Sequence, residues 1–297
     1  RELAAMGIRA DVYYGFRDEP YEMEPYRHTA GVVRVATDSG RVGFHGFVTQ
    51  MLKPEQYDLV VCCGGDGTFN ETLSGLLSVE SKTPIGYIPT GSTNDFASSL
   101  KLPLDVLEAT KNIIEGQPVP YDAGRFGGRV FSYVASFGAF TRTSYTTPQS
   151  IKNALGHTAY VLEGIQELTQ IRNEHIKMIV DGEVVEDDFL FGAICNSTSV
   201  GGVLTLDPDV VDLQDNKLEI LLVRAPRNLA ELHECILALQ DQTYNCAMLT
   251  FRSATHIRIF ADPEMPWTLD GEREEGHSEV EVVPEHLAYR LMKRVQP

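Results

Sequence analysis

The chain has 297 residues, with 25 Lys and Arg against 42 Asp and Glu for a formal charge of −17, and 43% of its residues are hydrophobic. That is globular composition with apolar material for one large or two ordinary domains, which excludes disordered and collagen-like chains. A chain this acidic, without a Lys/Arg-rich run, lacks the electrostatic footprint of a nucleic-acid binder, and no apolar stretch approaches the ~18–20 residues of a membrane-spanning helix.

The opening Arg1-Glu2-Leu3 does not start a signal peptide, so a cytoplasmic protein is expected. Up to about residue 121, short apolar runs closed by Gly or Pro alternate with helical patterns, as in βα units on a buried parallel sheet. Residues 31–36 form one such run, ended by Thr37. Residues 58–63 are the clearest strand and lead through a glycine turn into a helix over 70–77; 85–89 repeats the pattern with a helix over 94–100. A further helix over 104–115 is stopped by Gly116. Pro118 and Pro120 then interrupt regular structure, which predicts a domain boundary within 117–121.

Beyond it, alternating strands predict a mostly antiparallel sheet: 176–185 folded around Asp181-Gly182, 218–223 and 256–260. Two helical stretches, 149–171 and 228–244, carry apolar residues at three- and four-residue steps and read as cover for that sheet. Cys62, Cys63, Cys195, Cys235 and Cys246 sit mainly in apolar segments and suit reduced thiols, and the histidines show no metal-ligand spacing.

Two constellations carry chemistry. Gly64-Gly65-Asp66-Gly67-Thr68-Phe69-Asn70-Glu71 lies between a buried strand and a helix, where glycines let the backbone approach a phosphate and the helix N-terminus offers unpaired N–H groups. Asp66 is the odd element there: a carboxylate facing polyphosphate needs a divalent cation or a donor hydroxyl between them, although it also suits a plain helix cap. Pro89-Thr90-Gly91-Ser92-Thr93-Asn94-Asp95-Phe96-Ala97 occupies the same position after the next strand. Alone it is ordinary N-cap chemistry; beside the first loop it lines one crevice at the strand ends, the usual ligand position in an open α/β sheet.

These two stretches, with Tyr121-Asp122-Ala123-Gly124, residues 131–138 and Leu269-Asp270-Gly271-Glu272, resemble the diacylglycerol kinase catalytic domain family shared by bacterial soluble lipid kinases, sphingosine kinases and ceramide kinases. A GGDG loop alone also occurs in NAD kinases and phosphofructokinases; the second motif separates them. The resemblance implies an α/β nucleotide-binding domain with a parallel sheet, similar to that of phosphofructokinase, over residues 1–121 and completed by about 287–297. A mostly antiparallel β-sandwich lipid-substrate domain over 122–286 follows, with ATP in the cleft between the two.

By the same resemblance, Gly64, Gly65, Asp66, Gly67, Thr68, Phe69, Asn70 and Ser92 contact ATP, with Thr37 as a further contact. Glu272 is the general base, and Asp66 and Asp95 are the functional aspartates. For Asp270-Gly271-Glu272 the residues by themselves read as a hairpin turn. A structural Mg2+ is implied at Asp212-Leu213-Gln214-Asp215-Asn216-Lys217, with the carboxylate of Asp215 and the carbonyls of Asp212 and Lys217 as ligands, and Asp122 linking it to the active site. Asn216 stands where the family has glycine, and asparagine is the side chain best suited to a left-handed turn there. The family opens with a strand and an Asn-Pro turn followed by glycine, and that turn is not found in residues 1–37.

The expected activity is ATP- and Mg2+-dependent phosphorylation of the hydroxyl of diacylglycerol or a related lipid. The expected protein is cytoplasmic and meets the membrane peripherally and transiently, because a charge of −17 opposes strong attraction to anionic lipid. A homodimer is compatible with the sequence. Two other readings use the same loops: a kinase of a soluble alcohol, and a nucleotide-binding regulatory paralogue without turnover.

Overall fold

In the computed structural model, which describes residues 7, 10–21, 24, 28–92, 94–138, 173–200, 204–207, 209–241, 244 and 246–295, the chain divides into two compact units. One contains Arg1–Asp58 and Gly75–Ser81, the other Leu59–Ser74 and Lys82–Pro297.

In the first unit, β1 (Val12–Phe16), β2 (Val33–Thr37) and β3 (Phe44–His45) form a parallel sheet in that order. Val12 pairs with Val33 and Phe16 with Thr37, so the run expected to end at Thr37 does end there. The Tyr13 hydroxyl meets that of Tyr57 at 2.8 Å, and Tyr57 donates to Asp11 Oδ2 at 2.7 Å.

The second unit opens with β4 (Val60–Gly64) and β5 (Ile85–Pro89), parallel and in register from Val60–Ile85 to Gly64–Pro89. Between them α1 (Asp66–Ser78) begins in its sequence. This helix starts four residues before the expected 70–77, because the Phe69 N–H already bonds to Gly65 O at 3.1 Å. After β5 come α2 (Asp95–Ser99) and α3 (Val106–Glu115). Asp105 caps α3 by accepting from Leu107 N at 3.0 Å and Glu108 N at 3.1 Å, so the apolar Leu104 lies just outside the helix.

The prolines do not interrupt the backbone as expected: β6 (Gln117–Phe126) runs through both, with Pro118 opposite Met292 and Pro120 opposite Arg290 of β18 (Glu279–Lys293). They lie two residues apart, so both missing N–H groups fall on one side of the strand. Among the described residues no second strand pairs with β6 there, since β7 (Arg129–Phe131) pairs only with Gly124 to Phe126.

The remaining strands are β8 (Val134–Gly138), β9 (Glu174–Val180), β10 (Glu183–Cys195), β11 (Ser199–Val200), β12 (Leu204–Thr205), β13 (Leu218–Arg224), β14 (Leu249–Ala254), β15 (Ile257–Phe260), β16 (Trp267–Leu269) and β17 (Glu272–Glu274). The main sheet has the order β17-β16-β8-β10-β9-β15-β18-β5-β4, with β13 branching from β10 and β14 beyond it. Leu291 of β18 lies parallel beside Ile85, which joins the late strand to the early parallel pair. The Asp181-Gly182 hairpin forms as expected, with both residues at positive φ.

The expected helix over 228–244 is α4 (Leu229–Gln240), capped by Asn228 on Ala230 N and Glu231 N, both at 3.0 Å. The expected helix over 149–171 lies outside the described residues. Among the described residues no helix is long and apolar enough to cross a membrane.

The core of the antiparallel part gathers Phe126, Phe131, Phe137, Ile176, Met178 and Trp267, all buried. Trp267 sits between Phe126 and Phe137, with ring centroids at 4.8 and 4.9 Å, and each such pair adds about 0.5–1.5 kcal/mol beyond area burial. This anchors β16, the strand that delivers Asp270-Gly271-Glu272.

Candidate active site

Register puts the two glycine loops side by side. Because Gly64 pairs with Pro89, both strands end at one level, and Thr90 N donates to Gly64 O at 2.9 Å. The loops then touch through bare backbone: a Cβ built on Gly91 would lie 2.5 Å from the Gly65 Cα. Asn94, at φ 53, closes the second loop by accepting from Gly91 N at 2.9 Å and donating to Gly91 O at 3.0 Å.

That use of Asn94 leaves the head of α2 without the cap the sequence suggested. Asp66 supplies it from the other loop: Oδ2 accepts from Asp95 N at 2.9 Å and Oδ1 from Phe96 N at 3.2 Å. Asp66 therefore caps the neighbouring helix and locks the loops together. Burial raises the Asp95 carboxyl, and the Asp66 charge raises it further. Carboxylate oxygens such as these are the donor type that Mg2+ takes.

Beneath the loops Phe69 is fully buried, stacked on Phe96 with centroids 4.4 Å apart and tilted against Tyr87 at 4.9 Å. The Phe69 side chain is core packing beneath the loops and is closed to direct contact with a nucleotide. Asn70 also turns inward, donating to Val130 O at 3.2 Å and to Asp270 Oδ2. Thr68 packs against Gly64, and Ser92 stands exposed at the loop tip.

The β16–β17 hairpin brings in Glu272. Asp270, fully buried and at φ 50, accepts from the backbone N–H groups of Tyr133 and Val134, both at 3.0 Å, and from Ser132 N at 2.5 Å and Ser132 Oγ at 2.8 Å. Burial pushes its carboxyl up against the downward pull of those donors. With Asn70 as its fifth donor, Asp270 ties the hairpin to α1, and a Cβ built on Gly67 would meet Glu272 Oε1 at 3.0 Å. Glu71, half-buried on α1, is raised by burial and then by Glu272, and drawn down by Arg129.

Gly64 to Asn70, Ser92, Asp66, Asp95 and Glu272 thus belong to one unit, the loops meeting at Gly65 and Gly91 and Glu272 lying over Gly67. Thr37 belongs to the other unit, where it is buried and its Oγ1 donates to Val42 O at 2.8 Å. Sequence reasoning passed over Arg129 and gave Asp270 and Asn94 no role of their own. Asp270 stood inside a recognised motif but read as a turn, and Arg129, in a strand far along the chain, gave no local signal.

In the proposed metal loop, Asp212 Oδ1 accepts from Gln214 N at 3.0 Å and Asp215 Oδ1 from Lys217 N at 3.0 Å. Asn216 has φ 61, the left-handed turn expected of it. The loop lines a cavity of about 570 Å³ with Tyr121 and Asp209. The Lys217 ammonium lies 3.3 Å from Asp215 Oδ2, where it partly balances the carboxylate an ion would use. Buried Asp122 accepts from Asn216 N at 2.6 Å and Leu287 N at 2.7 Å, and pairs with His286 at 3.0 Å. Among the described residues no three His, Cys, Asp or Glu side chains are grouped to hold a metal.

Glycine turns at adjoining strand ends, a helix rising from each, and carboxylates beside them define an α/β phosphotransferase. The comparisons make the class specific. Residues 18–126 match the diacylglycerol kinase catalytic domain, and residues 134–290 match the YegS C-terminal NAD kinase beta sandwich-like domain. The chain is 32% identical over 219 residues to a diacylglycerol kinase of Bacillus subtilis, covering 73% of this chain and 72% of that one. It is 34% identical over 219 residues to a diacylglycerol kinase of Staphylococcus carnosus, covering 73% and 71%. A crystal structure of a diacylglycerol kinase from Bacillus anthracis shares the fold with a TM-score of 0.66 at 18% identity, covering 96% of this chain and 97% of that one. The chain belongs to the diacylglycerol kinase family, kinase-type phosphotransferases with an alcohol acceptor.

Proposed function

We propose that this protein transfers the γ-phosphate of ATP to the hydroxyl of diacylglycerol or a closely related lipid. The observation that carries the reading is the approach of Gly65 to Gly91 with Glu272 poised over Gly67. Backbone N–H groups of the glycine turns bind the phosphates, and Thr68 and Ser92 add hydroxyls. Asp66 keeps the loops in register. Glu272 accepts the hydroxyl proton as the lipid oxygen bonds to the γ-phosphorus, and the bond from that phosphorus to the bridging oxygen of ADP breaks. Asp95 beside the phosphates would hold Mg2+, which when bound neutralises phosphate charge, and Asp215 with the carbonyls of Asp212 and Lys217 would hold a second, structural Mg2+.

Residues 1–121 with 287–297 serve the nucleotide and 122–286 the lipid, presented at a membrane surface. The test is ATP consumption by the full chain with diacylglycerol in mixed micelles, compared with glycerol and other soluble alcohols. Lipid-dependent turnover that falls about 10²–10⁴-fold in Glu272→Gln supports the reading. Turnover only on soluble alcohols, or ATP binding with no turnover on any acceptor, overturns it.

A further inference from the structure

β17 places Glu272 and Glu274 two residues apart, so both side chains project from the same face of the strand. One guanidinium meets both: Arg129 Nη1 lies 2.6 Å from Glu274 Oε2, and Nη2 lies 3.5 Å from Glu272 Oε2. The two contacts differ in kind. Glu274 is 13% exposed and also faces His277 at 3.5 Å, so its pairing with Arg129 is short and sheltered. Glu272 is 48% exposed and its contact is looser, as befits a group that must also reach a substrate.

Arg129 itself stands on a fixed element. The segment that follows it is strung on the buried network already described, Val130 O accepting from Asn70 and the N–H groups of Ser132, Tyr133 and Val134 donating to Asp270. Glu71 interacts with both Glu272 and Arg129, repelled by the one and drawn by the other. Three carboxylates therefore converge around one guanidinium. Without it, Glu272 keeps two like-charged neighbours, Glu71 and Glu274, and among the described residues loses its ion-pair partner.

We propose that Arg129 is the positioning residue for Glu272, anchored by Glu274 and holding the Glu272 carboxylate in place over Gly67. Its ion-pair partners are Glu272 and Glu274, and the effect proposed is exerted through Glu272, so this inference rests on Glu272 being the base. A loosely held base loses the near-attack geometry that ordered catalytic groups supply, and misplacement by about 1 Å costs on the order of 10²-fold.

The experiment compares Arg129→Ala, Arg129→Lys and Glu274→Gln with the parent chain in the mixed-micelle assay, with ATP and lipid varied separately. Arg129→Ala is expected to lower kcat about 10- to 100-fold while KM for ATP and for lipid each move less than about threefold. Its melting temperature should stay within about 2 °C, since a half-exposed ion pair contributes little to stability. Arg129→Lys should recover at least about threefold in kcat over the alanine variant, because it restores the charge without the two-pronged geometry. Glu274→Gln should show a smaller fall in kcat, because the anchor alone is weakened.

An unchanged kcat in Arg129→Ala, a loss carried by KM for ATP, or a lysine variant no better than alanine overturns the proposal. A dead Glu272→Gln beside a fully active Arg129→Ala removes the role of Arg129 and leaves the base assignment standing. A fully active Glu272→Gln, or absence of turnover in the parent, removes both.

Discussion

Replacing Gly91 by alanine probes the contact on which the site is built. The added Cβ would lie 2.5 Å from the Gly65 Cα and 2.9 Å from Asn94 Oδ1, where ordinary contact begins at 3.4 Å. The near atom is backbone at the end of β4, so no side chain can swing away, and the loops must part by roughly 1 Å. Overpacking of this kind typically costs about 1–3 kcal/mol, and separation of the loops also weakens the Gly91–Asn94 ring and the Asp66 cap. A phosphate cradle displaced by about 1 Å should lose on the order of 10²-fold in turnover. Urea unfolding gives the first quantity; calorimetric ATP affinity and micelle turnover give the second. Gly128→Ala is the control, because nothing lies within 4 Å of its added Cβ and its φ is not positive. Full ATP affinity and turnover in Gly91→Ala would mean that the loops do not need this approach.

Three further outcomes follow from buried carboxylates. Asp66→Ala deprives the Asp95 and Phe96 N–H groups of their acceptor and should lower stability by about 1–3 kcal/mol, with Asp66→Asn recovering part of it in the same urea titration. Asp270→Ala strands several donors at once and should cost about 3 kcal/mol or more with loss of turnover; near-native stability would show that the hairpin is held by something else. Glu219, 1% exposed with Oε2 unpartnered, is pushed by burial and then by Asp215 from 4.5 up to about 8. Its folded form holds the proton more tightly, so the stability it contributes is present below pH 4.5 and is lost as pH rises through about 8. Glu219→Gln should therefore gain over the parent at pH 8–9, by on the order of a few kcal/mol, and show no gain near pH 4; equal stability at both values would contradict the buried-acid account.

Local signals carried the elements well. The apolar runs at Val60 and Ile85 and the Asp181-Gly182 turn are visible because strand burial and turn chemistry act over a few residues. Pro118 and Pro120 misled, because whether a missing N–H matters depends on which edge of a strand has a neighbour, and that neighbour is β18, far along the chain. The cap of α2 was not legible for a related reason: the Ser-Thr-Asn-Asp stretch has N-cap chemistry, but the Asn94 side chain is taken by Gly91 and the acceptor arrives from Asp66.

By itself, the sequence determined the class of site: glycines where backbone must approach a phosphate, and carboxylates where charge and protons must be handled, recur in motifs with narrow spacing. Only the tertiary structure decided that Asp270 is a structural hub, that Phe69 and Asn70 face the interior, and that Arg129 stands between Glu272 and Glu274. Motif chemistry is written within a few consecutive residues, whereas a side chain's direction and its partner's distance depend on strand register and on segments that meet only after folding.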